Sequence, residues 1–291
     1  MIYVTGDMII DEYLYGQTTR ISPEAPVPIV DLISREKRWG GCGNVYSNIN
    51  AIQSDTKIAC YYDVANEHLF ALDKHKNNYL KIDKIPRKTR IMSNGRYMSR
   101  IDDEEYITSD FLELGIADRW NTAKNDIVVL SDYNKGSIKN PKQFIKNTKG
   151  KVLVDPKVSL DSYDGAYLIK PNLKEFEGYV GKSASPKELM AKAQLTRDHL
   201  NLTYLVITMS EDGVLLIGDT VEHYDSVVEE VNDVTGAGDV FMAGLALGLD
   251  RGLSISQSTR VANVLAGISV ARLGTYTITQ EDWNKAVEEL L

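Results

Sequence analysis

Ile127-Val128-Val129-Leu130-Ser131-Asp132 and Lys151-Val152-Leu153-Val154-Asp155-Pro156-Lys157 are two of four segments built alike. The others are Tyr167-Leu168-Ile169-Lys170-Pro171-Asn172 and Tyr204-Leu205-Val206-Ile207-Thr208-Met209-Ser210-Glu211. Each is a short, unbroken apolar run closed by polar or turn-forming residues. Unbroken rather than alternating hydrophobicity marks a strand covered on both faces, as in a parallel sheet. Helical patterns separate the runs, so the chain reads as βαβ units. Helix starts agree: Asn140-Pro141-Lys142-Gln143 and Ser185-Pro186-Lys187-Glu188 combine a capping side chain with Pro at the first helical position, and Thr279-Gln280-Glu281-Asp282 opens a C-terminal helix. The expected fold is α/β, with a mainly parallel central sheet flanked by helices. Ligands of such sheets bind beyond the carboxyl ends of the strands, where these polar residues fall.

Two stretches break the rhythm. Residues 13–38 hold three prolines with much Thr, Val and Ile, and residues 84–109 carry extended patterns around Thr89-Arg90-Ile91-Met92 and Tyr97-Met98-Ser99-Arg100-Ile101. Together they are expected to form a small β-sheet lid inserted in one domain spanning 1–291. A length of 291 residues suits one large α/β domain, and 43% hydrophobic with 25% charged residues excludes disordered and fibrous classes. Subtracting 41 acidic from 33 basic side chains leaves −8, a poor field for capturing nucleic acid. Cys42 and Cys60 are too few for a disulfide framework. The start, Met1 to Asp7, runs straight into a strand without a basic and apolar leader. The longest apolar run, Val240 to Leu249, falls short of the roughly 20 residues that span a bilayer. A cytoplasmic protein without nucleic-acid or membrane partners is expected.

The chemistry concentrates in Asn232-Asp233-Val234-Thr235-Gly236-Ala237-Gly238-Asp239, followed by an apolar helical stretch. Glycines ahead of a helix let backbone N–H groups converge on an anion at its positive end, which suits a phosphate whose charge grows during transfer. A carboxylate there hinders simple phosphate binding but can take a proton from an attacking hydroxyl. The familiar alternatives fail. Gly41/Gly43 and Gly236/Gly238 lack the third glycine of a dinucleotide fingerprint, and Gly181-Lys182-Ser183 lacks the first glycine of a phosphate-binding loop, its place held by Phe176. No histidine sits at zinc-ligand spacing and no serine in G-x-S-x-G.

Asp233 to Asp239 resembles the C-terminal signature of the ribokinase-like (PfkB) carbohydrate kinases, and Gly40-Gly41-Cys42-Gly43-Asn44-Val45 resembles their N-terminal one. Arg20 to Pro28, Leu130 to Gly136, Val154 to Lys157, Lys170 to Glu177 and Leu273-Gly274-Thr275 resemble the branch acting on D-glycero-β-D-manno-heptose 7-phosphate. The resemblance implies transfer of the ATP γ-phosphoryl group to that sugar's anomeric hydroxyl. It implies Asp239 as base and the amides of Gly236, Ala237 and Gly238 as anion hole. Asn172 and Glu175 are implied for ATP and Mg²⁺, and Thr208, Ser210, Gly213, Thr235, Asn263 and Gly267 for the nucleotide; a monovalent cation is left open. Asp7, Asp11, Gly41, Asn44 and Asp132 are implied on the sugar. The sugar's own phosphate calls for cations, and Arg20, Arg90, Arg100, Lys135 and Lys157 are the candidates, with Arg100 and Lys157 foremost. A homodimer through the lid is also implied. Some members carry a nucleotidyltransferase half beyond the kinase; with the chain ending at Leu291, kinase activity alone is expected. Gly-Gly-Cys-Gly-Asn departs from the usual Gly-Gly-Ala-Ala/Gly-Asn, and Asn48 and Asn50 make the next helix more polar than usual. The competing readings are a family kinase for another sugar or nucleoside, and a non-catalytic nucleotide or sugar sensor.

Overall fold

A computed structural model describes residues 1–70, 79–108, 120–228 and 231–290. The strands are β1 (Ile2–Gly6), β2 (Met8–Ile21), β3 (Pro28–Gly41), β4 (Lys57–Asp63), β5 (Tyr79–Ile82), β6 (Arg87–Ser93), β7 (Arg96–Asp103), β8 (Ile127–Ser131), β9 (Lys151–Asp155), β10 (Leu168–Ile169), β11 (Tyr204–Thr208), β12 (Val214–Ile217) and β13 (Val221–Tyr224). The helices are α1 (Cys42–Ile52), α2 (Glu67–Phe70), α3 (Pro141–Asn147), α4 (Leu173–Val180), α5 (Pro186–His199), α6 (Ala237–Asp250), α7 (Ile255–Val270) and α8 (Gln280–Glu288).

The large sheet has the order β13-β12-β11-β10-β9-β8-β1-β4-β5, parallel from β5 through β11 and antiparallel in its last two strands. The four runs quoted above form β8 to β11, and they are buried as their unbroken hydrophobicity demands. From β1 the chain goes to β4 on one side and later to β8 on the other. The order thus reverses between β1 and β8, the place in open α/β sheets beyond whose carboxyl ends ligands bind. Gly6-Asp7 and Ser131-Asp132 end these two strands.

The capping residues behave as their sequence suggests: Asn140, Ser185 and Thr279 each accept the N–H of the third helical residue. Helix α6 is apolar on every side and nearly all buried, as a helix without a polar face must be. It packs beside α7 so closely that a Cβ on Gly244 would lie 2.8 Å from the Cα of Ala262.

The second sheet has the order β3-β2-β6-β7, with β2 antiparallel to β3, parallel to β6, and β6 antiparallel to β7. Its first strand starts at Met8 rather than Tyr13 and its second runs to Gly41, because the buried residues 8–13 continue directly from β1. Ser109, at the end of the second expected stretch, lies outside the described residues. β6 and β7 are joined at Asn94-Gly95, both at positive φ, the tight hairpin dipeptide. No helix among the described residues is long and apolar enough to cross a membrane.

Candidate active site

Four elements meet at Asp239. It lies in the first turn of α6, whose N-cap is Gly236 in the left-handed conformation at φ 80°. A Cβ on Gly236 would also come within 2.7 Å of Asn44 Nδ2, so both backbone and space require glycine. Asn44 comes from the first turn of α1, whose N-cap is Gly41 at φ 57°, where a Cβ would strike the Asp7 carbonyl at 2.3 Å. Asn44 is therefore not the helix cap. Its Nδ2 donates to Asp239 Oδ2 at 2.9 Å, while the Tyr133 hydroxyl, from the loop after β8, donates to Asp239 Oδ1 at 2.7 Å. The fourth element is the β9–β10 pair. Lys170 Nζ stands 3.0 Å from Asp155 Oδ1, and both groups approach the Gly238 position, the ammonium at 3.5 Å from where a Cβ would sit.

The electrostatics follow from this crowding. Burial and the nearby charge of Asp155 push the Asp239 carboxyl up to about 7, against the hydrogen bonds from Asn44 and Tyr133 and the charge of Lys170. Burial raises Asp155 too, restrained by Lys170. Asp132 is pushed up to about 6 by burial and by the charge of Asp7. A carboxyl poised near neutrality at a helix N-terminus suits proton abstraction at pH 7.

A cavity of about 690 Å³ opens beside this corner. Its wall includes Asp132, Tyr133, Asp155, Lys157, Lys170, Asn172, Glu175, Thr208, Ser210, Gly213, Gly238, Asn263 and Gly267, so most expected nucleotide residues come together. Val214, Val228, Val231, Val234, Phe241, Ala266 and Val270 supply its apolar side. Asn172 and Glu175 form a reciprocal capping box on α4: each side chain accepts the other's backbone N–H, at 2.8 and 2.9 Å. The second oxygen of Glu175 accepts from Lys157.

The sequence matches the family model "pfkB family carbohydrate kinase" over residues 2–282. The chain belongs to this family. As a pfkB carbohydrate kinase it is an ATP-dependent sugar kinase. It is 38% identical over 304 residues to the bifunctional protein HldE of Hahella chejuensis, covering 99% of this chain and 63% of that protein. It is 39% identical over 303 residues to HldE of Shewanella sediminis, covering 98% and 63%. The chain thus spans about 63% of the length of these relatives. The fold is that of phosphofructokinase-2 from Escherichia coli in complex with potassium (TM-score 0.80, 18% identity, 99% of this chain and 98% of that one). It is shared by Arabidopsis thaliana ribokinase complexed with ribose and ATP (TM-score 0.74, 18% identity, 99% and 98%).

Several of the expected residues have partners within the protein. Asp7 is fully buried and turned toward the protein: its carboxylate accepts the backbone N–H groups of Tyr133, Lys135 and Ser137 at 2.8 to 3.0 Å, which makes it the anchor of that loop. Asp132 likewise accepts from the Tyr163 hydroxyl and the Asn134 N–H, both at 2.7 Å. Asp11 is buried in an ion pair with Arg90 at 2.6 Å. Ala237 is a poor member of an anion hole, since its N–H turns back to the Val234 carbonyl at 3.3 Å. The Thr235 N–H is held by Asp233 at 2.9 Å. Lys157 pairs with Glu175 in the cavity wall, among the residues expected for the nucleotide. Arg20 is an exposed partner of Asp31 out along β2. Arg100 is exposed and held in a two-pronged pair by Asp102 at 2.6 and 2.8 Å.

Tyr133, Asp155 and Lys170 carried no expected role, although Asp155 and Lys170 stand among the polar residues that close the strands. The signal for the last two was present, because Leu168 and Ile169 align with Leu153 and Val154, so Lys170 falls beside Asp155 at the next step of the same parallel register.

Proposed function

We propose that this kinase transfers the γ-phosphoryl group of ATP to the anomeric hydroxyl of D-glycero-β-D-manno-heptose 7-phosphate, giving the 1,7-bisphosphate and ADP. The observation that carries the phosphoryl-transfer chemistry is the Asp239 corner. Two of the roughly four lone-pair sites on its carboxylate are taken by Asn44 and Tyr133, which leaves acceptor capacity for a sugar hydroxyl. In this reading the hydroxyl proton passes to Asp239 as its oxygen attacks the γ-phosphorus in line, and the bond to the β-phosphate oxygen breaks toward ADP. The N–H groups of Gly236 and Gly238, with Lys170, offset the charge that develops.

Mg²⁺ fits the oxygen donors at the phosphate end of the cavity. Among the described residues no cluster of three or more His, Cys, Asp and Glu could hold a metal unaided. Asn172 and Glu175, already tied in their capping box, suit an ion held mainly by phosphate oxygens and water. Bound there, Mg²⁺ would neutralise charge between the β- and γ-phosphates.

The choice of a phosphorylated sugar is supported by cations gathered on the second sheet. Arg90 and Arg100 are cross-strand partners, Lys88 lies on the same strand as Arg90, and the Lys88 ammonium sits 5.8 Å from the Tyr133 ring centroid. Glu104 pairs with both Lys88 and Lys135. A phosphate entering this group can replace Asp102 and Glu104 as the partner of Arg100, Lys88 and Lys135. We further propose that two copies pair through this sheet. Its edge strands β3 and β7 expose Leu32, Ile33, Tyr97, Met98 and Ile101, and unpaired apolar edges seek partners.

The test is ADP release from Mg-ATP with heptose 7-phosphate, fructose 6-phosphate, fructose and ribose, each with and without K⁺ and beside Asp239→Asn. Turnover confined to heptose 7-phosphate and lost in the variant supports the proposal. Turnover on another sugar keeps the mechanism and overturns the substrate. ATP binding without turnover on any sugar overturns both in favour of a sensor.

A further inference from the structure

Asn48 is wholly buried in α1, one turn beyond Asn44. The backbone N–H of Ile278 can only donate, so the Asn48 atom facing it at 2.9 Å is the carbonyl Oδ1. That fixes the other half of the carboxamide. Asn48 Nδ2 donates to the Asn44 carbonyl oxygen at 2.9 Å, to Asn44 Oδ1 at 3.1 Å and to the Tyr276 carbonyl at 3.2 Å. With Asn44 Oδ1 committed as acceptor, its Nδ2 is the atom left to face Asp239 Oδ2. The donor direction thus runs without a break from the Ile278 N–H, through two carboxamides, to the carboxylate.

We infer that Asn48 is a positioning residue for phosphoryl transfer: it holds the Asn44 carboxamide with its N–H toward Asp239 and ties that orientation to the backbone following α7. The inference rests on the reading of Asp239 as base. An Asn44 rotated the other way would set a carbonyl oxygen against a carboxylate, two acceptors with no proton between them, in a site too buried for water to relieve. A buried asparagine needs partners in any fold, but a purely structural one would have no reason to control which end of Asn44 meets the base.

The experiment is the pH dependence of kcat/KM from pH 5.5 to 9 with Mg-ATP and heptose 7-phosphate, for wild type, Asn48→Ala, Asn44→Ala and the double variant. Losing the Asn44 hydrogen bond removes one of the contacts favouring the ionised base. The acid limb of Asn48→Ala should therefore move up by about one pH unit. Asn44→Ala should move it similarly, and the double variant no further than either single one, because the two act in series. If Asn48→Ala lowers Tm while its acid limb stays at the wild-type pH, or if the two shifts add, the inference fails. Should Asn48→Ala not fold, Asn48→Ser carries the same test, since its hydroxyl can bond the Asn44 carbonyl oxygen but cannot span to the side chain. Asp239→Asn separates the two levels. Full turnover in that variant removes the base reading itself, whereas loss of turnover beside an unmoved Asn48→Ala limb removes the positioning role alone.

Discussion

The Asp239 corner and the cationic face of the second sheet lie on either side of Tyr133, whose hydroxyl touches one and whose ring approaches the other. They are stabilised in opposite ways. The corner is enclosed: its carboxylates are raised by burial and held by neutral donors and one buried lysine, and it opens only toward the cavity that Tyr133, Asp155 and Lys170 help to line. The sheet face is wet: Arg100, Lys88 and Lys135 are paired with Asp102 and Glu104 in contacts that solvent reaches and that another anion can exchange. Buried charges with fixed partners are costly to disturb, whereas exposed pairs contribute about 0–1 kcal/mol. The proposed reaction would thus use an enclosed, fixed corner and an exchangeable cationic face for its two tasks.

The sharpest way to break this contrast is Asp239→Asn. Turnover should fall on the order of 10²–10⁴-fold, the usual worth of a positioned general base, as read by ADP release. Stability should move the other way. A carboxyl raised from 3.8 to about 7 keeps its proton in the folded chain through a window where the unfolded chain has released it. Folding is therefore penalised as pH rises through that window, and fully above it. The variant should melt several degrees higher than wild type at pH 8 and little differently at pH 4, measured by calorimetry; equal shifts at both pH values would contradict it.

Next in size is the enclosed pair. Lys170→Met strands Asp155 in the interior, and urea unfolding should show a loss of about 3–5 kcal/mol at pH 8. The counterpart on the wet face, Arg100→Met, should cost less than about 1 kcal/mol while raising KM for the sugar phosphate about tenfold or more and leaving KM for ATP nearly unchanged. Equal destabilisation by the two variants would erase the distinction drawn here.

Smaller still, the acid limb of the wild-type pH profile should fall near pH 7. Tyr133→Phe, which removes a donor to the ionised base, should move it up by roughly half to one unit. The smallest effect concerns association. Light scattering at micromolar concentration should give a dimer, Ile33→Glu should weaken it, and the kcat of the resulting monomer should change less than that of any variant above.

The layered sheet was legible because β8 to β11 are buried on both faces and their sequences show it. The second sheet was legible as extended structure, but its first strand was begun at Tyr13 rather than Met8, since residues 8–13 are buried and carry no exposed face to mark them as part of that sheet. The cavity wall was largely legible through the residues ending β9, β10 and β11. Partnerships were not. Asn172-x-x-Glu175 is at once a capping box and a cavity wall, and one spacing serves both. Asp7, expected on a ligand, is consumed by the loop 132–137, a contact across 126 positions or more that no local pattern announces. Asn48 appeared only as excess polarity in a helix, because its partners lie on the far side of the chain.

β1 and β2 are separated by Asp7 alone, β3 runs directly into α1 at Gly41, and the N–H of Cys42 is bonded to the Asp7 carbonyl at 3.0 Å. Any tilt of the second sheet would be carried through this junction. The stretch of β2 from Met8 to the irregularity after Tyr15 is an arm of about 26 Å, so a tilt of about 10° at the junction swings its end by roughly 4 Å. The short side of the same lever is α1, which carries Asn44 and Asn48. A tilt of the second sheet at this junction would therefore reach, scaled down, the side chain that touches Asp239.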